Sequence, residues 1–245
     1  MLSKILKYLI FISFLFALDI DKYPIKKTLS FLNVEFEVVK NGTSPNRYIW
    51  LHGDEKTAEM ALNSHINNYP GIAFFIQNEE REIPYKSTII DPNRLFSRKG
   101  AHHALKKFKP NWESNSLKEA LDEIDIEREH FLRAIMPSKN GVLVSVHNNF
   151  RGYNVKSEIK NSQRVSIKDN QNPRDFILCT SEGDYIKLEE GPYNIVLQNK
   201  LPDKDDGSLS WALLKNNVRY INVETRLGYL NQQKKILSFI EEELN

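Results

Sequence analysis

The chain has 245 residues, 40% of them hydrophobic and 27% charged, which suits one α/β domain with a full core and excludes a disordered segment. Its net charge is only +2, and Lys and Arg form no concentrated run, so nucleic acid is a poor partner. A single cysteine, Cys179, excludes an intramolecular disulfide, and the core must carry stability alone.

The amino terminus stands apart. Lys4 and Lys7 precede the apolar run Tyr8 to Leu18, the pattern of a secretory signal peptide. The run is shorter than the ~20 residues that a transmembrane helix needs. Residues 1–18 are therefore read as a leader, with cleavage after Ala17 despite the bulky Leu15, and with export to the periplasm. A buried amino-terminal helix or an uncleaved anchor are the other readings. In either export reading, contact with a membrane runs only through this segment, and residues 19–245 form a single domain.

Alternating Val34 to Val39 predicts a strand with one exposed face, followed by the Asn41-Gly42 turn and a second strand over Arg47 to Leu51. Ile49-Trp50-Leu51-His52-Gly53-Asp54-Glu55 runs from a buried strand into a tight turn. A helix follows over Glu55 to Asn68, with Asp54 as its expected cap. Gly71 to Ile76 is nearly all apolar, as in a central parallel strand. Thr88-Ile89-Ile90 leads into Asp91-Pro92-Asn93-Arg94, where Pro92 forces a turn, and a loop is expected to continue through Gly100.

Ser116 to Met136 has a helical pattern, with Ser116 as N-cap and Glu119 completing a capping box. Val142 to Val146 is the strongest buried strand, and it runs straight into His147. Phe176 to Cys179 and Tyr193 to Leu197 are further strands, in which Cys179 reads as a packed thiol. Ser208 is the expected cap of a helix carrying Leu209, Trp211, Leu213 and Leu214. Val218 to Val223 is a strand ending on Glu224, and a final amphipathic helix covers Leu230 to Glu243. This alternation predicts a three-layer α/β fold with a mixed, mostly parallel sheet flanked by helices.

Three apolar strands thus end on His52, His147 and Glu224, and a fourth enters the Asp91 loop. Where such strands run parallel, their ends converge on the edge at which open α/β sheets build sites. An imidazole and a carboxylate three residues apart, as in His52 and Glu55, can meet at one point, and zinc accepts this mixture of N and O ligands. A histidine directly after an apolar run can equally be a satisfied core residue. His65, His102, His103 and His130 are read that way, as half-buried or solvated imidazoles.

His52-Gly53-Asp54-Glu55, the distant Ser145-Val146-His147 and the late Asn222-Val223-Glu224 resemble the zinc metallocarboxypeptidases. The Asp-x-Asn-Arg-x-Phe loop, Asp91 to Phe96, is similar to that of the succinylglutamate desuccinylase/aspartoacylase branch. The resemblance implies that His52, Glu55 and His147 ligate zinc and that Glu224 is the catalytic base and then acid. It also implies that Asn93 and Arg94 hold a substrate carboxylate. The branch places an arginine where this chain has Lys86, so either Lys86 or Arg98 is expected to stabilise the oxyanion. Arg151, Tyr153 and Glu158 either line the site or hold its loop.

The expected activity is an exported zinc hydrolase that cleaves an amide bond near a substrate carboxylate, with peptidoglycan stem peptides as one substrate class. Deacylation of a small N-acyl amino acid is the alternative substrate reading, and a non-catalytic zinc or peptide-binding module on the same fold is the alternative in kind.

Overall fold

Alternating polar and apolar residues fold Ile25–Phe31 (β1) and Val34–Asn41 (β2) into an antiparallel pair. Their tight turn is made by Leu32, whose φ is +53°. The computed structural model describes residues 24–149 and 152–244; the expected leader and Arg151 lie outside the described residues. Next come Arg47–Trp50 (β3), the helix Lys56–Asn68 (α1) and Gly71–Ile76 (β4). A small hairpin of Ile83–Tyr85 (β5) and Thr88–Ile90 (β6) follows, and then the helices Arg98–Phe108 (α2) and Ser114–Ile135 (α3). Leu143–Asn149 (β7), Arg164–Ser166 (β8), Phe176–Cys179 (β9), Glu182–Glu189 (α4) and Asn194–Leu197 (β10) continue the chain. It closes with Leu209–Lys215 (α5), Tyr220–Arg226 (β11) and Leu230–Leu244 (α6).

Nine strands form one mixed sheet in the order β1-β2-β4-β3-β7-β11-β9-β10-β8. Its central strands β4, β3, β7 and β11 are mutually parallel, so the carboxyl ends of β3, β7 and β11 share an edge. Thr88–Ile90 does not join them: β6 pairs only with β5, and the Asp91 loop reaches that edge from outside the main sheet.

The pleat sends alternate residues to opposite faces. Val39, Ala73 and Tyr48 lie in register and face α1 and α6, where the Tyr48 hydroxyl donates to Glu241 at 2.6 Å and its ring meets the edge of His65. On the other face Phe36 and Phe31 pack on Phe131 of α3, with ring centroids 4.9 and 4.4 Å apart. Helices thus cover both faces, and the three-layer α/β arrangement follows.

Cys179 is fully buried, with its thiol 3.7 Å from the Val196 carbonyl. Burial pushes its pKa well up, as in an inert packed thiol. Among the described residues no helix is long and apolar enough to cross a membrane.

Several helix starts differ from expectation. Glu55, not Asp54, is the N-cap residue of α1, and no side chain bonds there. The segment expected as loop through Gly100 instead turns helical at Arg98, because Ser97 Oγ accepts from the Gly100 amide at 3.0 Å. α3 begins two residues before Ser116, with Glu113 at its N-cap and no side-chain cap bond, so the expected capping box does not form. Ser208 sits at the N-cap of α5, but Asn93 Oδ1 takes the Leu209 amide at 2.9 Å. β1, β8 and α4 were not legible in the sequence pattern.

Candidate metal centre and cleft

The turn after β3 is shaped by Gly53. A Cβ there would lie 1.9 Å from the Asn78 carbonyl oxygen, and the Gly53 amide donates to Glu80 O at 3.2 Å. The loop after β4 therefore packs directly on the turn. Glu55 N–H donates to His52 O at 3.1 Å, which folds both side chains to the same side.

His52 Nδ1 lies 3.0 Å from Glu55 Oε1, and His147 Nδ1 lies 2.9 Å from Glu55 Oε2. All three residues are at least 95% buried, and their ligand atoms fall within 4.8 Å of one another. His147 sits in β7 with two further strand residues after it, in register with Glu224 of β11.

The tautomers matter here. His52 Nε2–H donates to Asp91 Oδ1 at 2.9 Å, which leaves a lone pair on Nδ1 in the neutral ring. That lone pair faces a carboxylate oxygen, and two buried acceptors repel unless a proton or a cation lies between them. Without a cation, burial opposes charge on His52, yet Glu55 and Asp91 together raise its pKa to about 9. Glu55 and Asp91 are held well below the usual carboxylate range, against their burial, by His52 and its neighbours. A divalent metal ion relieves the same repulsion with ligands of the kind it prefers, so the donor set fits one.

Asp91 fixes the His52 ring, a support that metal-ligating histidines usually receive. Asp91→Ala should therefore weaken metal binding by about 10–100-fold, measured by titration against a chelating dye; unchanged affinity would mean that the ring needs no such support. Arg81 donates to Glu55 Oε1 at 2.9 Å, and its Nε lies 3.6 Å from Asp91 Oδ2, so one guanidinium balances two buried carboxylates. No strand-end pattern points to Arg81; only the packing of its loop on Gly53 brings it to the site.

On the opposite face of β7, Asn148 anchors the frame. Its Oδ1 accepts from the Ala58 amide at 2.8 Å, its Nδ2 donates to Gln233 Oε1 at 3.0 Å, and its own amide donates to Glu55 Oε2 at 3.1 Å. Glu224 and the ligand cluster line one cleft of about 1040 Å³. Asn222 Nδ2 donates to Glu224 Oε1 at 3.0 Å, and Ser145 Oγ donates to Asn222 Oδ1 at 3.2 Å. Burial is the main cause that pushes the Glu224 pKa up to about 7.

Asn93 and Arg94 also line the cleft. Asn93 is partly committed to the α5 amide, whereas the partly exposed Arg94 lies 3.4 Å from Asp206 and can exchange that partner for a ligand. Asp54 lines the cleft wall and is exposed. Lys86 and Arg98 are not brought to the site. Lys86 sits on the β5–β6 turn with Nζ 2.7 Å from Glu123, and Arg98 pairs with Asp122 and Asp125 on α3. Neither lines the cleft, so neither stands where an oxyanion would form. His65, His102, His103 and His130 are likewise outside it.

No family model and no curated relative matches the chain. Among solved structures it is similar to a candidate metallopeptidase from Shewanella denitrificans, at 10% identity over 90% of this chain and 82% of that one, with a TM-score of 0.46. It is also similar to a candidate metallopeptidase from Shewanella baltica, at 14% identity over 90% and 85% of the chains and a TM-score of 0.44. A third is the murein-tripeptide amidase MpaA from Escherichia coli O157, at 14% identity over 82% and 86% of the chains and a TM-score of 0.42. At these values the likeness says nothing of what the cleft binds.

Proposed function

We propose that this protein is a zinc-dependent hydrolase that cleaves an amide bond beside a substrate carboxylate. What carries the reading is one juxtaposition: two imidazole Nδ1 atoms and both oxygens of Glu55 meet at a point, and Glu224 shares their cleft. Three protein ligands leave a position open, the pattern of catalytic rather than structural zinc. Zinc held there supplies a Lewis acid and a water acidified to a pKa of about 7.

The chain's own residues do the rest. Glu224, buried and poised near neutrality, takes a proton from the attacking water and passes it to the leaving amine. Arg94 binds the substrate carboxylate, and Asn93 holds the loop that presents it. Arg81 takes the place of Lys86 and Arg98 as the cation nearest the reacting carbonyl, because it already faces Glu55 from the cleft wall.

With the leader read as a signal peptide, the favoured substrates are peptides outside the cytoplasm, peptidoglycan stem peptides among them. The same chemistry on a small N-acyl amino acid is the second reading, against which the leader argues. A non-catalytic binding module would need no base, and Glu224 in the same cleft as the cluster counts against it.

The test is metal content of the purified protein. Wild type should carry about one zinc per chain, and His147→Ala should lose it while remaining folded. A folded wild type that takes up no zinc when supplied with it would sink the mechanism. Hydrolysis of purified muropeptides, compared with N-acyl amino acids, then chooses between the substrate readings.

A further inference from the structure

Past Tyr153 the cleft reaches a second buried carboxylate that the proposed chemistry does not use. Glu158 is 9% exposed, in the short 3-10 helix Val155–Asn161. Its Oε1 accepts from the Tyr153 hydroxyl at 2.8 Å and its Oε2 from Gln198 Nε2 at 3.2 Å. Both donors are neutral. No cationic side chain among the described residues pairs with Glu158; Lys160 and Lys204 of the cleft rim are exposed and make no ion pair with it. A buried carboxylate without a counter-charge is costly.

A second, independent observation lies beside it. Gln198 is 3% exposed, and its Oε1 is buried with no hydrogen-bond partner. The amide cannot simply flip, because Nε2 must face the Glu158 carboxylate and an oxygen there would be repelled. Glu158 and Gln198 both line the cleft. The cleft is therefore lined by a carboxylate met only by neutral donors and by an amide whose buried oxygen has no donor.

We propose that Glu158, Gln198 and Tyr153 form a subsite for a cationic group of the substrate, a primary ammonium on a side chain. An ammonium carries three donors around a point charge, so one can reach Glu158 while another reaches Gln198 Oε1. A planar guanidinium spreads its donors in a fixed fork suited to a single carboxylate, whereas the acceptors here sit on two side chains. Tyr153, Glu158 and Gln198 line the same cleft as Glu224, so the subsite shares its space with the proposed base. Which bond is cut depends on the hydrolase reading; that an ammonium binds here does not.

The test compares L-lysine with L-norleucine, which share a carbon skeleton and a carboxylate and differ in the terminal ammonium. Calorimetric titration of the zinc-supplemented full chain should show lysine binding at least about tenfold more tightly. Glu158→Gln should remove that advantage, leave norleucine binding unchanged and lower the melting temperature not at all, since it removes an uncompensated buried charge. Gln198→Met, which keeps the charge, should reduce the advantage only in part. Equal binding of the two amino acids, binding of neither at millimolar concentration, or a lysine preference that survives Glu158→Gln would each overturn the proposal. An advantage that vanishes when potassium replaces sodium at equal ionic strength would also overturn it, by assigning the pocket to an alkali ion. A lysine preference in a protein without turnover would leave the subsite standing and remove the hydrolase reading.

Discussion

Glu224→Gln should keep its zinc and lose turnover by about a hundred- to ten-thousandfold. The amide keeps the size of the carboxyl and can still pair with Asn222 across the 3.0 Å bond, so the cleft keeps its shape. What it cannot do is accept and return a proton. Metal analysis beside initial-rate kinetics checks both halves, and a variant retaining more than about a tenth of wild-type rate would assign the base elsewhere. In the metal-free protein the same substitution carries a stability signature. The folded-state pKa of Glu224 is about 7, above its unfolded value, so burial favours the protonated form. Its contribution is complete below the unfolded pKa and lost as pH rises through about 7. Glu224→Gln has no proton to lose, so its melting temperature should gain on wild type between pH 5 and pH 8. Parallel melting curves in the presence of a chelator measure this.

Gly53→Ala should destabilise the fold by about 1–3 kcal/mol and weaken metal binding at the same time. The added methyl group meets backbone, not a flexible side chain: the Asn78 oxygen at 1.9 Å and its carbonyl carbon at 2.6 Å. Something must shift, and the candidates are the turn that orients His52 and Glu55 or the loop that carries Arg81. Either movement pulls a ligand or its neutralising partner off position. Urea unfolding and metal titration on the same variant test the pair of effects, and a variant stable and metal-loaded like wild type would mean that the two loops are free to part.

The central strands and the three chemistry-bearing residues after their apolar runs, His52, His147 and Glu224, stand out in the sequence because a buried strand is a short apolar run, and its first polar residue is conspicuous. Those three needed only that pattern and a parallel arrangement to share an edge, and Glu55 came from its three-residue spacing to His52 across the turn. Residues arriving from loops were not legible in the same way. Arg81 reaches Glu55 through the packing of a loop on Gly53, which no periodicity records. Asp91 was visible as part of the loop, but its bond to His52 depends on how the β5–β6 hairpin lies against the sheet. Counting back from Arg94 pointed to Lys86, yet the count runs through that hairpin's turn, which aims Lys86 at α3. Asp54 looked like a cap because acidic residues favour that place, while the bond from Glu55 N–H to His52 O pulls the helix start one residue on.

The lone thiol has a practical consequence. Cys179 lies in β9 between β10 and β11 and is fully buried, so the packing over its face of the sheet must open before a reagent could reach the sulfur. An exposed thiol invites crosslinked aggregates; this one is withheld from partners for as long as the packing around it holds. The chain thus carries one natural reporter group, silent in the native state, whose alkylation registers opening of the core around β9 without any engineered label.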